Sequence, residues 1–354
     1  MKRGESVGRS SEKDGASKRE RADPWSDWQQ VAGVPALSAG VLAETLDGGQ
    51  AFRWNRESDG SWLGLWSNQI VRLRLGSGSR LQWSAPQPLV ASTPAALARY
   101  LAIDHDFAAL SDSLPWRSDP HLARCLAAFP GLRLLRQPFG ETLLGFLCSA
   151  TKQIVQIKQM LALLAERHGA VIGSDPGPAI IPPPTASRAA LSSHQENLTQ
   201  LQTLNPKLET AARRSLPTWS ELAQIPEADL RACLLGFRAR YISETARHLA
   251  AHPGWLEETE NAPYATAKAR LCELPGVGEK VADCVLLFGA GRFEAFPVDV
   301  WILKTLARRY GLDGWRVPHL AQFGRVHFGP LAGLAQQYLF AWERAQKKLA
   351  RAEG

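Results

Sequence analysis

The stretch Leu271-Cys-Glu-Leu-Pro-Gly-Val-Gly-Glu-Lys-Val-Ala-Asp-Cys284 constrains this chain more than any other. Tyr264 to Glu273 has helical composition, and Pro275-Gly276-Val277-Gly278 cannot continue that helix. A second helix resumes at Glu279, with Val281, Val285 and Phe288 at helical spacing and Leu286 and Leu287 between them. This helix is apolar nearly all round, which predicts burial. Its first turn nevertheless carries Lys280, and Cys284 lies one turn on, on the same face. Gly276 and Gly278 allow a ligand to approach the backbone closely. The N–H groups opening the second helix are unpaired and stand at the positive end of its dipole. Taken alone, the turn is a phosphate site or a plain helix–helix corner, and both readings stay open.

Downstream, Phe296-Pro-Val-Asp299-Val-Trp301 leads into an amphipathic helix from Ile302 to Tyr310, with Asp299 where an N-cap belongs. Leu-Pro-Gly-Val-Gly-Glu-Lys280 followed by Pro-Val-Asp299 resembles the helix–hairpin–helix DNA glycosylase superfamily. Residues between Leu46 and Phe340 narrow the resemblance to the 8-oxoguanine DNA glycosylases. The implied fold class is α+β: an N-terminal antiparallel β-sheet domain, then a mostly α-helical helix–hairpin–helix core.

Charge and cysteine usage agree with that reading. A net charge of +7 over 354 residues favours a polyanionic partner. No apolar run reaches membrane-spanning length, and the first residues lack a signal-peptide core. The chain is expected to be intracellular, nuclear in a eukaryote and cytoplasmic in a bacterium. Its five cysteines are an odd number in mostly apolar contexts, which predicts reduced thiols. There is no CxxC and no cysteine beyond Cys284, so the four-cysteine iron–sulfur loop of some superfamily relatives is missing. The histidines form no zinc-like spacing. The expected partner is damaged double-stranded DNA, bound by a monomer with no cofactor, no catalytic metal and no membrane.

The domain plan follows from changes of pattern. Residues 1–30 are expected to form a disordered basic and polar tail. Residues 31–138 form a β-rich N-terminal domain, in which period-two patterning around Phe52, Trp54, Val71, Leu73 and Leu81-Gln-Trp83 predicts strands. The helical glycosylase domain spans 139–345, with a Pro-, Ser-, Thr- and Gln-rich insertion at about 174–216 and a tail at 346–354.

The resemblance assigns roles residue by residue. Lys280 is the implied nucleophile and Asp299 its catalytic partner. Leu46-Asp-Gly-Gly-Gln-Ala-Phe-Arg-Trp54 matches the family's N-terminal motif, in which Gly49 would offer its carbonyl to the damaged base. Oxidised guanine carries an N7–H donor where guanine has an acceptor, so one carbonyl separates them. Cys284 and Phe340 would stack on opposite faces of that base, and Gln336 would read its pairing edge. In Leu234-Leu-Gly-Phe-Arg-Ala-Arg-Tyr241, Phe237 would wedge into the vacated step and Arg238 would reach the orphaned cytosine. The family uses an asparagine and an arginine to fill the gap and read that cytosine, but the matching positions here are Thr151 and Gln156. Lys152 beside them can contact the strand. Gly276, Val277 and Gly278 would hold DNA backbone, as would Trp301, which replaces a phosphate-contacting histidine. The family's hairpin can also hold a structural cation, here at the backbone of Cys272, Leu274 and Val277.

The chemistry implied is base flipping, attack by Lys280 on C1′, and β-elimination through a Schiff base. Apolar neighbours and the helix's positive end would favour the amine over the ammonium. Two alternatives remain: a glycosylase for another damaged base or with relaxed opposite-base preference, and a helix–hairpin–helix module that binds DNA without catalysis.

Overall fold

A computed structural model describes residues 24–172 and 213–352. Five strands form one antiparallel sheet: β1 (Gln29–Gln30), β2 (Trp54–Arg56), β3 (Trp62–Trp66), β4 (Gln69–Leu75) and β5 (Leu81–Ser84), in the order β1-β5-β4-β3-β2. Gly64 pairs with Trp54 on one side and Val71 on the other. A Cβ on Gly64 would lie 2.3 Å from the Trp54 ring, so the glycine makes room for the fully buried indole. That indole donates to the Tyr100 hydroxyl at 3.0 Å, which satisfies the one polar atom the burial strands.

Three features of the β-rich half depart from expectation. Residues 24–30 join the sheet instead of the tail: Gln29 and Gln30 pair with Trp83 and Gln82, and the Arg72 guanidinium lies 4.3 Å over the Trp25 ring. Residues 1–23 lie outside the described residues. Within the period-two region a helix appears, α1 (Ala39–Asp47), capped by the Ser38 hydroxyl. Its Val41, Leu42, Thr45 and Leu46 are buried at helical spacing. Strand β3 is buried at every position, so it shows no alternation to detect.

The rest is helical: α2 (Thr93–Tyr100), α3 (Phe107–Asp112), α4 (Pro120–Ala128), α5 (Phe139–Leu147), α6 (Ile154–His168), α7 (Trp219–Leu222), α8 (Glu227–Leu230), α9 (Arg238–Ala251), α10 (Trp255–Asn261), α11 (Tyr264–Glu273), α12 (Glu279–Phe288), α13 (Val300–Tyr310), α14 (Val317–Phe328) and α15 (Ala332–Ala352). Helix α15 runs through the expected 346–354 tail as far as Ala352. The boundary at 138 does not separate two bodies. Asp119 caps α4 through Oδ1, while its Oδ2 accepts from Tyr310 of α13 at 2.9 Å and sits 3.0 Å from His327 of α14. Most of the insertion, 173–212, lies outside the described residues. Its flanks meet, since Ile172 N–H donates to Arg213 O and Ser215 N–H to Ala170 O.

Candidate active site

The hairpin between α11 and α12 forms as the sequence requires. Gly276 has φ +78°, and a Cβ there would lie 2.5 Å from the Tyr241 ring of α9. Both backbone and space therefore demand glycine. Gly278 differs: its backbone is extended and nothing lies within 4 Å of its would-be Cβ. No side chain caps the α12 N-terminus, so the first N–H groups face an open approach. The Leu274 carbonyl, one of the three expected cation ligands, accepts the Val277 N–H at 3.1 Å.

A buried carboxylate locks the hairpin. Asp283, on the otherwise apolar α12, accepts from the Tyr264 hydroxyl at 2.7 Å and from Lys268 Nζ at 3.0 Å, both on α11. Burial pushes its carboxyl above the usual range, and Lys268 and the Tyr264 bond pull the other way. Sequence reasoning passed over this triad. Its signal was a lone aspartate in an apolar helix, which must find partners, opposite a Tyr–Lys pair four residues apart.

One turn earlier on α12, Lys280 is half-buried, with its Nζ 5.3 Å from the centre of the Phe146 ring of α5. Cys284 lies one turn on; burial pushes its thiol up to about 12, while the nearby Lys280 charge pulls the other way. Cys284 is thus a neutral thiol packed beside the amine. Asp299 caps α13, its Oδ1 accepting from Trp301 N–H at 3.0 Å and Ile302 N–H at 2.9 Å. Burial raises its carboxyl above the usual range, while the Ile302 bond and the Lys280 charge hold it down. The Lys280 charge thus bears on the Asp299 carboxyl, the residue that the resemblance pairs with it.

Contacts lead from Lys280 to the base-recognition residues. Phe146 packs edge-on against Phe52, centroids 5.2 Å apart. Gln50, two residues before Phe52, is fully buried and stitched to the segment that leads into α5: its amide donates to Arg133 O at 2.9 Å and accepts Leu135 N–H at 3.0 Å, and its own carbonyl accepts from Gln137 Nε2 at 2.7 Å. Gln137 N–H in turn donates to Phe288 O at the end of α12. Gly49 has φ +94°, and its would-be Cβ lies 3.4 Å from both Phe340 Cε1 and Ile154 Cδ1. Gln336, one turn before Phe340, is buried with its Oε1 unpartnered. The structure thus brings Gly49 against Phe340, and sets Phe146 against both Lys280 and Phe52, three residues on from Gly49. Phe146 and Phe52 were not singled out from the sequence, where they look like core aromatics. A small cavity borders both rings, with Arg53, Trp66, Tyr100 and Glu141 on other walls, but Lys280 does not line it.

The strand-contacting residues differ more from expectation. Phe237 is half exposed, as a wedge requires. Arg238 is buried instead of projecting: its guanidinium donates to Ala150 O and to Thr151 Oγ1 at 3.0 Å, and lies 4.3 Å over the Phe237 ring. Gln156 closes a capping box on α6, its Oε1 accepting Gln153 N–H at 3.2 Å, so its carboxamide serves the helix. Lys152 is exposed. Trp301 is half-buried beneath Lys347, whose Nζ sits 4.9 Å from the ring centre. Among the described residues, no group of three or more His, Cys, Asp or Glu converges as a metal site, and no helix is long and apolar enough to cross a membrane.

Comparison with known proteins supplies an independent line. Residues 37–143 match the family model "8-oxoguanine DNA glycosylase, N-terminal domain", and residues 191–323 match the HhH-GPD superfamily of base excision DNA repair proteins. N-glycosylase/DNA lyase OGG1 of Arabidopsis thaliana is 30% identical over 327 residues, 87% of this chain and 79% of the relative. The 8-oxoguanine glycosylase/lyase of Clostridium acetobutylicum, solved with duplex DNA bearing cytosine opposite 8-oxoG, superposes with a TM-score of 0.70 at 26% identity, covering 86% of this chain and 92% of that one. MBOgg1, solved with a low-affinity DNA ligand, gives 0.72 at 27% identity, covering 90% and 96%.

Proposed function

The chain belongs to the 8-oxoguanine DNA glycosylase family, and from that premise we propose how its own residues excise 8-oxoguanine from duplex DNA and nick the strand. The observation that carries the reading is Lys280 over the Phe146 ring, one turn before the buried Cys284 thiol and with its charge bearing on the Asp299 carboxyl, on a helix whose N-terminus no side chain caps.

The hairpin's N–H groups hold a phosphate, and Phe237 fills the step left by the flipped nucleotide. The uncharged amine attacks C1′; the C1′–N9 bond breaks and its electron pair leaves with the base, which is then protonated. The aminal loses the ring oxygen to give the imine. Loss of a C2′ proton then expels the 3′ phosphate, which is the nick. Asp299 stabilises the positive charge that develops on the sugar and serves the proton transfers. Gly49 offers its carbonyl to N7–H of the oxidised base, Gln336 its unpartnered oxygen to the pairing-edge donors, and Phe340 and Cys284 the stacking surfaces. Every step uses side chains and water, with no cofactor. The partner is double-stranded damaged DNA, bound by one chain where DNA resides.

Borohydride trapping on an 8-oxoguanine duplex tests the nucleophile. Wild type forms a covalent adduct and Lys280→Gln forms none; an equal adduct from the variant removes Lys280 from the reaction. A relaxed opposite-base preference is a second reading, favoured by Gln156 being committed to its cap. Excision of one lesion opposite each of the four bases decides it.

A further inference from the structure

Gly49 is held by two helices from the other half of the molecule, and each holds it the same way. Helix α6 sets Ile154 against Gly49, and one turn later Lys158 Nζ binds Asp47 Oδ1 at 2.8 Å. Helix α15 sets Phe340 against Gly49, and one turn later Arg344 reaches back. Its NH1 donates to Glu44 Oε1 at 2.9 Å and its NH2 to the Asp47 carbonyl at 3.4 Å. Side chains four apart share a helix face, so apolar contact and cation come as a unit on each helix. Both cations therefore grip the last turn of α1, immediately before the Gly48–Gly49 turn. Arg344 and Glu44 are nearly withdrawn from solvent, at 14% and 9% exposed, so their ion pair is little screened. The cation also faces the C-terminal end of α1, where the dipole favours positive charge.

Arg344 does a second thing: its guanidinium carbon lies 5.6 Å from the centre of the Phe340 ring. One face of that ring is thereby covered and its edge is against Gly49, leaving the opposite face for a stacked base. We propose that Lys158 and Arg344 are positioning residues for base discrimination: together they fix where the Gly49 carbonyl points and which face of Phe340 is free. This rests on the proposed contact between Gly49 and the oxidised base. Neither cation touches the reacting sugar, so their effect should appear only when a base has to be recognised.

The test separates base-dependent from base-independent chemistry in one preparation. Arg344→Met, Lys158→Met and the double variant are assayed for single-turnover excision of 8-oxoguanine and for lyase cleavage of a pre-formed abasic site, which needs Lys280 but no base contact. The expected result is a fall in excision of about tenfold for Arg344→Met and more for the double variant, below the roughly hundredfold that a misplacement of about 1 Å can cost, with abasic-site cleavage within about twofold of wild type. Arg344→Lys, which keeps one donor to Glu44, should recover part of the loss. Equal losses in both assays mean general destabilisation and overturn the inference, as does unchanged excision in the double variant. The underlying reading has its own control. If wild type with Gly49 in place excises guanine as readily as 8-oxoguanine, the carbonyl contact itself fails, whatever the variants do.

Discussion

Asp299 has two tasks that one substitution can pull apart. Its Oδ1 caps α13 through the N–H groups of Trp301 and Ile302. Its charge faces Lys280. Asparagine caps a helix about as well as aspartate, so Asp299→Asn keeps the first task and loses the second. The sign of the stability change follows from linkage. Burial raises the folded carboxyl above its ordinary 3.8, so the folded state binds this proton more tightly than the unfolded one. Stability from this group is therefore greatest in acid and falls as pH rises from about 3.8 through the raised folded value, and the full cost of ionisation is present above it. Asparagine removes that cost. At neutral pH the Asn variant should melt at or above the wild-type temperature, and its stability should vary less across that acid window. Asp299→Ala loses the cap as well, which costs about 1 kcal/mol against the Asn variant. Both should slow single-turnover excision by roughly a hundred- to a thousandfold, about 3–4 kcal/mol, the usual loss when a preorganised charge is removed. Thermal melts across pH and single-turnover kinetics on the three proteins suffice. An Asn variant that excises within about threefold of wild type refutes the electrostatic role, and one that melts as low as the Ala variant refutes the cap.

Three further outcomes follow from the geometry. Gly276→Ala should cost about 2–4 kcal/mol, from left-handed strain plus overpacking on Tyr241, whereas Gly278→Ala should stay within about 0.5 kcal/mol in chemical denaturation yet weaken duplex binding in fluorescence anisotropy. At pH 8 the exposed Cys272, whose thiol burial also raises, should alkylate slowly, while Cys284, its thiol pushed up to about 12, stays unmodified until the protein is denatured, as peptide mass spectrometry would read. Thr151→Asn should raise the melting temperature slightly, because asparagine tolerates the φ of +55° that threonine adopts there; a drop would mean that the Thr151 hydroxyl bond to Arg238 outweighs the strain.

The helical half was legible because its signals are local. Pro275-Gly276 stops one helix, Asp299 starts another, and α11, α12 and α13 fall where apolar spacing places them. The β half was harder to read. Strand β3 has no alternation to detect, and α1 lies inside a region whose flanking strands set the apparent period. Residues 24–30 join an edge through the backbone of Gln29 and Gln30, and the trace of this in the sequence was Trp25 and Trp28, which lie under the Arg72 and Arg74 guanidinium groups. At the site, the resemblance of the hairpin and of Pro-Val-Asp299 to a glycosylase family pointed to Lys280, Cys284 and Asp299. The parts supplied by distance were not visible: Phe146 under the amine, the Asp283–Tyr264–Lys268 lock, and the cations around Asp47 all pair residues remote in sequence. The domain boundary at 138 followed a change of pattern, but Asp119, bonded to Tyr310 and His327, and Gln137, whose N–H donates to Phe288 O, tie across it, because a change in secondary structure is not a gap in packing.

On the proposed reading, the loop before α6 predicts that the opposite strand is treated differently from the lesion. Left-handed φ at a β-branched residue is unfavourable, and such strain persists only where surroundings over-determine it. Thr151 is held that way by Arg238, which binds its hydroxyl and the preceding carbonyl. To read a cytosine, Arg238 must give up those bonds, so each contact it gains on DNA is offset by one lost in the protein. Its Nε, buried and unpartnered, is a donor it can offer without that exchange. Gln156 likewise gives up its Oε1 bond to the Gln153 N–H if that oxygen turns to DNA. The lesion side has no such competition: the Gln336 oxygen is already desolvated and unpaired, and Gly49 is held by packing on both sides. Free energy for discrimination therefore concentrates on the oxidised base and is diluted on its partner, which predicts a chain strict about what it removes and permissive about what stands opposite.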